Sequence, residues 1–195
     1  MPLCDIIGHM TTMTIASEQK PSALHRLLTE QVGHELTAAQ QYIALATWFD
    51  ARDLPQLARV FYRQSLEERD HAMMIVRFLM DNDIPFTIPG TGSVRNEFDT
   101  ARDVVAAALR QEREVTDQFN RMAAAARDEQ DYQGEQFLHW FLAEQVEEVA
   151  KMSTLLNVLD RSNGNLFEVE TFVSRDMPGE PADGTAPDTA GPAVS

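Results

Sequence analysis

Apolar residues recur at spacings of three and four along four long stretches of the chain, the period of helices that bury one face. The first stretch runs from Ser22 to Asp50, with Ser22 placed as an N-cap just after Pro21. Ala51 to Asp53 interrupts the pattern, and Pro55 suits the first turn of a second helix reaching about Asn82. A third helix is expected from about Thr100 to Arg127. After the break at 128–131, a fourth runs from about Asp131 to Arg161. Asn165, with Glu168 three residues on, has the form of a capping box for a short fifth helix, Leu166 to Val173.

These lengths predict the topology. Helices of about 28 residues are each about 42 Å long. The short breaks make neighbours antiparallel within the first pair and within the second. Residues 83–99 carry two prolines and two glycines and no helical period. Extended, they span up to about 56 Å, enough to run the length of the bundle. The expected fold is therefore all-α: a four-helix bundle with one long crossover, helices two and three parallel, and a short fifth C-terminal helix. Three regions follow: an arm at 1–21, the bundle with its fifth helix at 22–175, and an acidic tail at 176–195. The tail is rich in Pro and Gly and is expected to be disordered.

Each core stripe is interrupted near its middle by polar groups. The first contains Leu28, Gln31, Glu35, Ala38 and Tyr42; the second Phe61, Gln64, Glu68, His71 and Ile75. The third contains Leu109, Glu112, Thr116 and Phe119; the fourth Phe141, Gln145, Glu148 and Met152. Helix midpoints fall near 36, 68, 113 and 146, so four glutamates and a histidine converge on one layer. Burying one unpaired carboxylate costs several kcal/mol, out of a total stability of about 5–15 kcal/mol. The stripes contain no Lys or Arg to offset that cost, and metal cations would. A regularity supports this reading. Glu35 and Glu68 stand 33 positions apart, as do Glu112 and Gln145, and each pair is followed three residues later by a further ligand type, His71 or Glu148. Two similar hairpins would set two metal sites side by side. Oxygen-rich ligands with one imidazole suit iron(II), manganese or zinc better than copper. Glu68, at the centre, is the natural bridge between two ions.

Composition narrows the remaining classes. The formal charge of −15 argues against binding a nucleic-acid backbone and favours cations. Cys4 is the one cysteine, which excludes an intrachain disulfide framework and Cys-rich metal sites, and fits a reducing compartment. No apolar run approaches the roughly 18 residues of a membrane helix, and the first twenty residues do not read as a secretory signal. A cytoplasmic location is expected.

The runs HELTAAQQY at 34–42, EERDHAMM at 67–74, QERE at 111–114 and EQVEEVA at 144–150 together resemble those of non-haem bacterial ferritins, over about residues 22–175. The resemblance implies a homo-oligomeric shell of 24 subunits that oxidises iron(II) with O2 or peroxide and stores a ferric mineral. It implies Glu35 and His71 for a first iron, Glu68 as bridge, and Glu112 for a second iron with Gln145 beside it. Glu148 would link that iron to a third site made with Glu67, Glu144 and Glu147. Tyr42 matches a tyrosine beside the centre, either an electron donor or a packed aromatic. Glu135 matches a carboxylate of an iron-access channel, but the second channel carboxylate falls on Leu138. Haem is not expected, because Arg69 stands where bacterioferritins place their haem-binding methionine.

Rival readings remain on the residues themselves. One is a structural bundle whose carboxylates hold a non-redox ion such as zinc. Another is a di-iron oxidase acting on an organic substrate, which would usually want a second histidine in the layer. The tail is either inert or a docking segment for a partner.

Overall fold

The structure, a computed structural model, describes residues 22–177 and 184–191; the expected arm 1–21 and tail residues 178–183 and 192–195 lie outside the described residues. Helix α1 spans Ala23–Asp50, α2 Pro55–Asp81, α3 Ala101–Asp128, α4 Tyr132–Arg161 and α5 Leu166–Asp176. The described residues contain no strand.

Helix ends are tied by neighbours as much as by their own caps. Ser22 Oγ accepts the His25 N–H at 3.1 Å, and a carboxylate from the α3–α4 turn, Glu129, accepts the Ala23 N–H at 2.6 Å. The first turn of α1 has no acidic residue of its own, so Glu129 supplies the negative charge its dipole favours. Helix α2 has Pro55 at its start and no side-chain cap; Glu170 of α5 fills the role, accepting from Gln56 N–H at 3.0 Å and Leu57 N–H at 2.7 Å. Thr100 and Asp103 form a true capping box on α3. The box expected at Asn165 does not form. Its side-chain amide donates instead to Glu168 Oε1 at 2.9 Å, and no side chain caps the start of α5.

The crossover lies along α1. Gly92 N–H donates to Thr37 Oγ1 at 2.9 Å, Arg95 N–H to Gln41 Oε1 at 2.7 Å, and Trp48 Nε1 to the Phe98 carbonyl at 2.9 Å. As the crossover advances from 92 to 98, its partners advance from 37 to 48, so it runs parallel to α1. That direction returns the chain to the end where α2 began and makes α2 and α3 parallel. Gly33 permits the close approach, since a Cβ there would stand 2.9 Å from the ring of Pro89.

The core is divided. One apolar cluster gathers Tyr42, Phe49, Phe61, Val105 and Leu155 with Val169 and Val173 of α5. The other gathers Leu28, Val32, Ile75, Phe119, Leu138 and Phe141. Residues 184–191 differ from the expected disorder. Ala190 N–H donates to the Met73 carbonyl at 3.0 Å, and Ala190 and Ala186 pack on the second cluster. Small alanine side chains fit closely against α2, and Gly191, at φ 80°, supplies the left-handed residue beside them. Helix α5 also reaches three residues past its expected end. Among the described residues, no helix is long and apolar enough to cross a membrane.

Candidate metal centre

A polar layer separates the two apolar clusters. Going along α1, it falls between Val32 and Tyr42; on α2 between Phe61 and Ala72; on α3 between Leu109 and Val115; on α4 between Phe141 and Met152. Helical spacing puts Glu68 and His71 on one face of α2 and Gln145 and Glu148 on one face of α4. Burial is nearly complete: Glu35 is 0% exposed, Glu112 and Glu148 1%, Glu68 and Gln145 2%, His71 4%.

Glu35, Glu68 and His71 form the tightest group, with one ligand atom from each lying within 4.8 Å of the others. One amide holds a carboxylate of this group in place. Gln31 Nε2 donates to Glu35 Oε1 at 2.9 Å and to Gln118 Oε1 at 2.9 Å, while the buried Gln64 Nε2, on the same helix as Glu68, has no hydrogen-bond partner. The His71 ring is wedged edge-on against Trp140 and Phe141, with centroids 5.6 and 5.7 Å away. Across the layer, the Tyr42 hydroxyl donates to Glu112 Oε1, and Gln145 Nε2 donates to Glu112 Oε2 at 3.3 Å and to the Glu112 carbonyl at 3.2 Å. Four buried carboxylate or imidazole atoms have no hydrogen-bond partner: Glu35 Oε2, Glu67 Oε2, His71 Nδ1 and Glu148 Oε2. Orphaned polar atoms are rare in protein interiors. Those of Glu35 and His71 belong to the group gathered within 4.8 Å, which fits an ion better than a satisfied polar network; Glu112 and Glu148 are buried in the same layer but lie outside that group.

The electrostatics say the same. Burial, then repulsion from Glu68, holds the Glu35 carboxyl well above its ordinary range. Glu68 is also raised, by burial and then by Glu112. Burial, with Glu148 adding to it, pushes Glu112 up to about 7. Tyr42 is raised well above its ordinary value by burial and by the charges of Glu112, Glu68 and Glu148. Without a cation the layer is kept tolerable by protons. With one, the carboxylates are free to ionise.

The candidate third-site residues are less well gathered. Glu67 and Glu144 are half-buried at the edge of the layer, and Glu147 is exposed. Burial raises Glu67, against the pull of Lys151, and raises Glu144 to about 7. Lys151, one turn beyond Glu148, was not legible from the stripes. Its ammonium lies 2.8 Å from Glu148 Oε1 and 3.9 Å from Glu67 Oε2. The i,i+3 spacing of Glu148 and Lys151 was the available signal. Gln31 was visible on its stripe, but its contact with the Glu35 carboxylate was not. Leu138 is fully buried in the second cluster, so its side chain lines no surface channel. Glu135 pairs with Arg127 at 2.5 Å and lies 3.9 Å from His139. Arg69 pairs with Asp70 at 2.8 Å.

The sequence pattern of the family described as "Ferritin-like domain" matches residues 26–162. Ferritin BfrB of Mycobacterium tuberculosis is 55% identical over 174 residues, which cover 89% of this chain and 96% of that protein. The chain belongs to the ferritin family. A bacterial non-heme ferritin of Staphylococcus aureus is 34% identical over 134 residues, covering 69% of this chain and 81% of that one. Among solved structures, an open-pore ferritin from Archaeoglobus fulgidus superposes with a TM-score of 0.75, at 24% identity, covering 78% of this chain and 94% of that chain. That likeness concerns the fold, and it agrees with the bundle and crossover described above. Iron storage is the function of this ferritin at family level, and the Glu35–Glu68–His71 group is a place where a metal ion could be held.

Proposed function

We propose that the buried layer is a di-iron ferroxidase centre, and that the chain assembles as a cytoplasmic shell of 24 subunits that stores the ferric product as a mineral. The observation that carries this reading is the set of orphaned ligand atoms on Glu35, His71 and Glu148, enclosed between two apolar clusters.

Glu35 and His71 bind the first iron(II), Glu68 bridges, and Glu112 binds the second with Glu148 Oε2 turned to it. Gln145 orients Glu112 through two hydrogen bonds. Tyr42 holds the other Glu112 oxygen, which sets the distance between that carboxylate and the bridge. Iron(II) arriving at the layer displaces the proton held by Glu35, so binding releases protons and weakens at low pH. Anionic ligands stabilise iron(III) more than iron(II), since the attraction grows with cation charge. The layer thereby favours loss of an electron from each bound iron, and O2 or peroxide takes the pair. Apolar packing by Phe61, Phe119 and Phe141 on either side keeps bulk water from the bound ions.

The storage half of the proposal is tested by adding aerobic iron(II) to purified apoprotein and measuring ferric iron that co-elutes with the protein. Retention far beyond two irons per chain, in a particle of shell size, is expected. Saturation at about two per chain in a small oligomer would favour an oxidase acting on another substrate. No retained ferric iron would leave a structural, non-redox ion in the layer.

A further inference from the structure

The chain has two lysines, Lys20 and Lys151; its other basic side chains, histidines aside, are arginines. Lys151 lies beside the carboxylate layer, its side chain 13% exposed. Its ammonium touches Glu148 Oε1 at 2.8 Å and stands 3.9 Å from Glu67 Oε2, joining α4 to α2. Arg63 lies 3.7 Å from the other oxygen of Glu67. Glu144 and His71 are further charged or titratable groups at this place, and Glu147 is exposed. Of the four carboxylates that would form a third metal site, Glu148 is hydrogen-bonded to the ammonium, Glu67 lies within ion-pair distance of two cations although its Oε2 has no hydrogen-bond partner, and Glu147 lies exposed.

An ammonium is a compact point charge with three donors, and so resembles a small bound cation more than a planar guanidinium does. We propose that Lys151 takes the place of a third metal ion: its ammonium occupies the Glu67–Glu148 position and limits the layer to two cations per chain. This rests on the two-iron reading of the layer. The geometry also gives Lys151 a positioning role. By holding Glu148 through Oε1, it leaves Oε2 as the buried, unpartnered atom. A dication brought among Glu67, Glu144 and Glu148 would meet the ammonium at close range, in surroundings where like charges are poorly screened.

The test uses zinc(II) and the assembled apoprotein at neutral pH, with stoichiometry read by equilibrium titration and positions by anomalous diffraction from zinc-soaked crystals. Wild type is expected to show two ions in the layer and none among Glu67, Glu144 and Glu148. Lys151→Leu, which keeps the apolar stem and removes the charge, is expected to gain an ion there. Its third-ion affinity should rise by about 100-fold or more. Lys151→Arg should stay at two. A third wild-type ion at that position overturns the proposal, and so does a Lys151→Leu protein that assembles but gains none. Should Lys151→Leu fail to assemble, Lys151→Gln carries the same expectation. Loss of zinc from beside Glu35, Glu68 and His71 in every protein would instead overturn the two-iron reading itself, which separates the two failures.

Discussion

Glu68→Ala is expected to lower the initial rate of aerobic iron(II) oxidation by at least about 100-fold, equivalent to roughly 2.7 kcal/mol of barrier, while the protein still assembles. Glu68 lies in the buried layer, with a ligand atom within 4.8 Å of those of Glu35 and His71 and within reach of the charge of Glu112. In the proposed centre, removing it takes away the carboxylate that bridges both ions. The fold should survive, because the two apolar clusters lie on either side of the layer and do not depend on it. Glu68→Gln sharpens the test, because activity and stability should move in opposite directions. The amide is nearly isosteric and cannot ionise, so the variant loses the bridge. It also removes a buried carboxylate whose pKa burial has raised, a group that costs the apoprotein stability at neutral pH. The apoprotein melting temperature should therefore rise by a few degrees as the rate collapses. An unchanged rate in either variant, measured by ferric absorbance in stopped flow, would remove Glu68 from the bridging role.

The second large effect is a reversed pH dependence of apoprotein stability. Glu112 titrates at about 7 in the fold against 4.5 for its ordinary value. Between those values the folded protein holds a proton that the unfolded chain has already lost. Stability must then fall as pH rises through this window, by about 3 kcal/mol per chain from Glu112 alone. Glu35 and Glu68, also raised, act in the same direction. Glu129 acts oppositely: the Ser22 hydroxyl holds its carboxylate below the ordinary range, so its contribution is lost as pH falls through that lowered value. The expected result is a melting temperature that declines from about pH 5 to pH 7.5 without metal. With zinc(II) bound, the decline should flatten, since the cation replaces the protons. Scanning calorimetry across that range checks it. A metal-free melting temperature that stays level or climbs would mean that the layer is not held together by protons.

Much of this architecture was legible because each helix carries an apolar stripe broken at one height. Periodicity reports the direction in which each Cβ leaves its helix, and for short, buried side chains that direction settles the neighbours. Glu35, Glu68, His71, Glu112, Gln145 and Glu148 all lie on such stripes and all reach the layer. Periodicity is a poor guide to long side chains that leave off-stripe and bend back. Lys151 stands beside the stripe residues Glu148 and Met152, yet its four-carbon stem brings the charge to Glu148 and Glu67. The capping box at Asn165 failed for a related reason: Asn and Glu at that spacing can satisfy each other as readily as the backbone. Composition also misled over 184–191. Proline and glycine lower the apolar content of a segment, but they do not prevent two alanines from seating against α2. Leu138 was readable as a departure from the channel pattern, and its burial gives the reason: the position faces the core.

The claim on which the account turns is that this one layer binds and oxidises iron in pairs. Its most direct test is a stopped-flow titration of apoprotein with iron(II) in air-saturated buffer, following the amplitude of the fast ferric phase. The account predicts a break at about two irons per chain, followed by a slower phase at higher loading. A fast phase that breaks at one iron per chain, or oxidation no faster than in buffer alone, would contradict it.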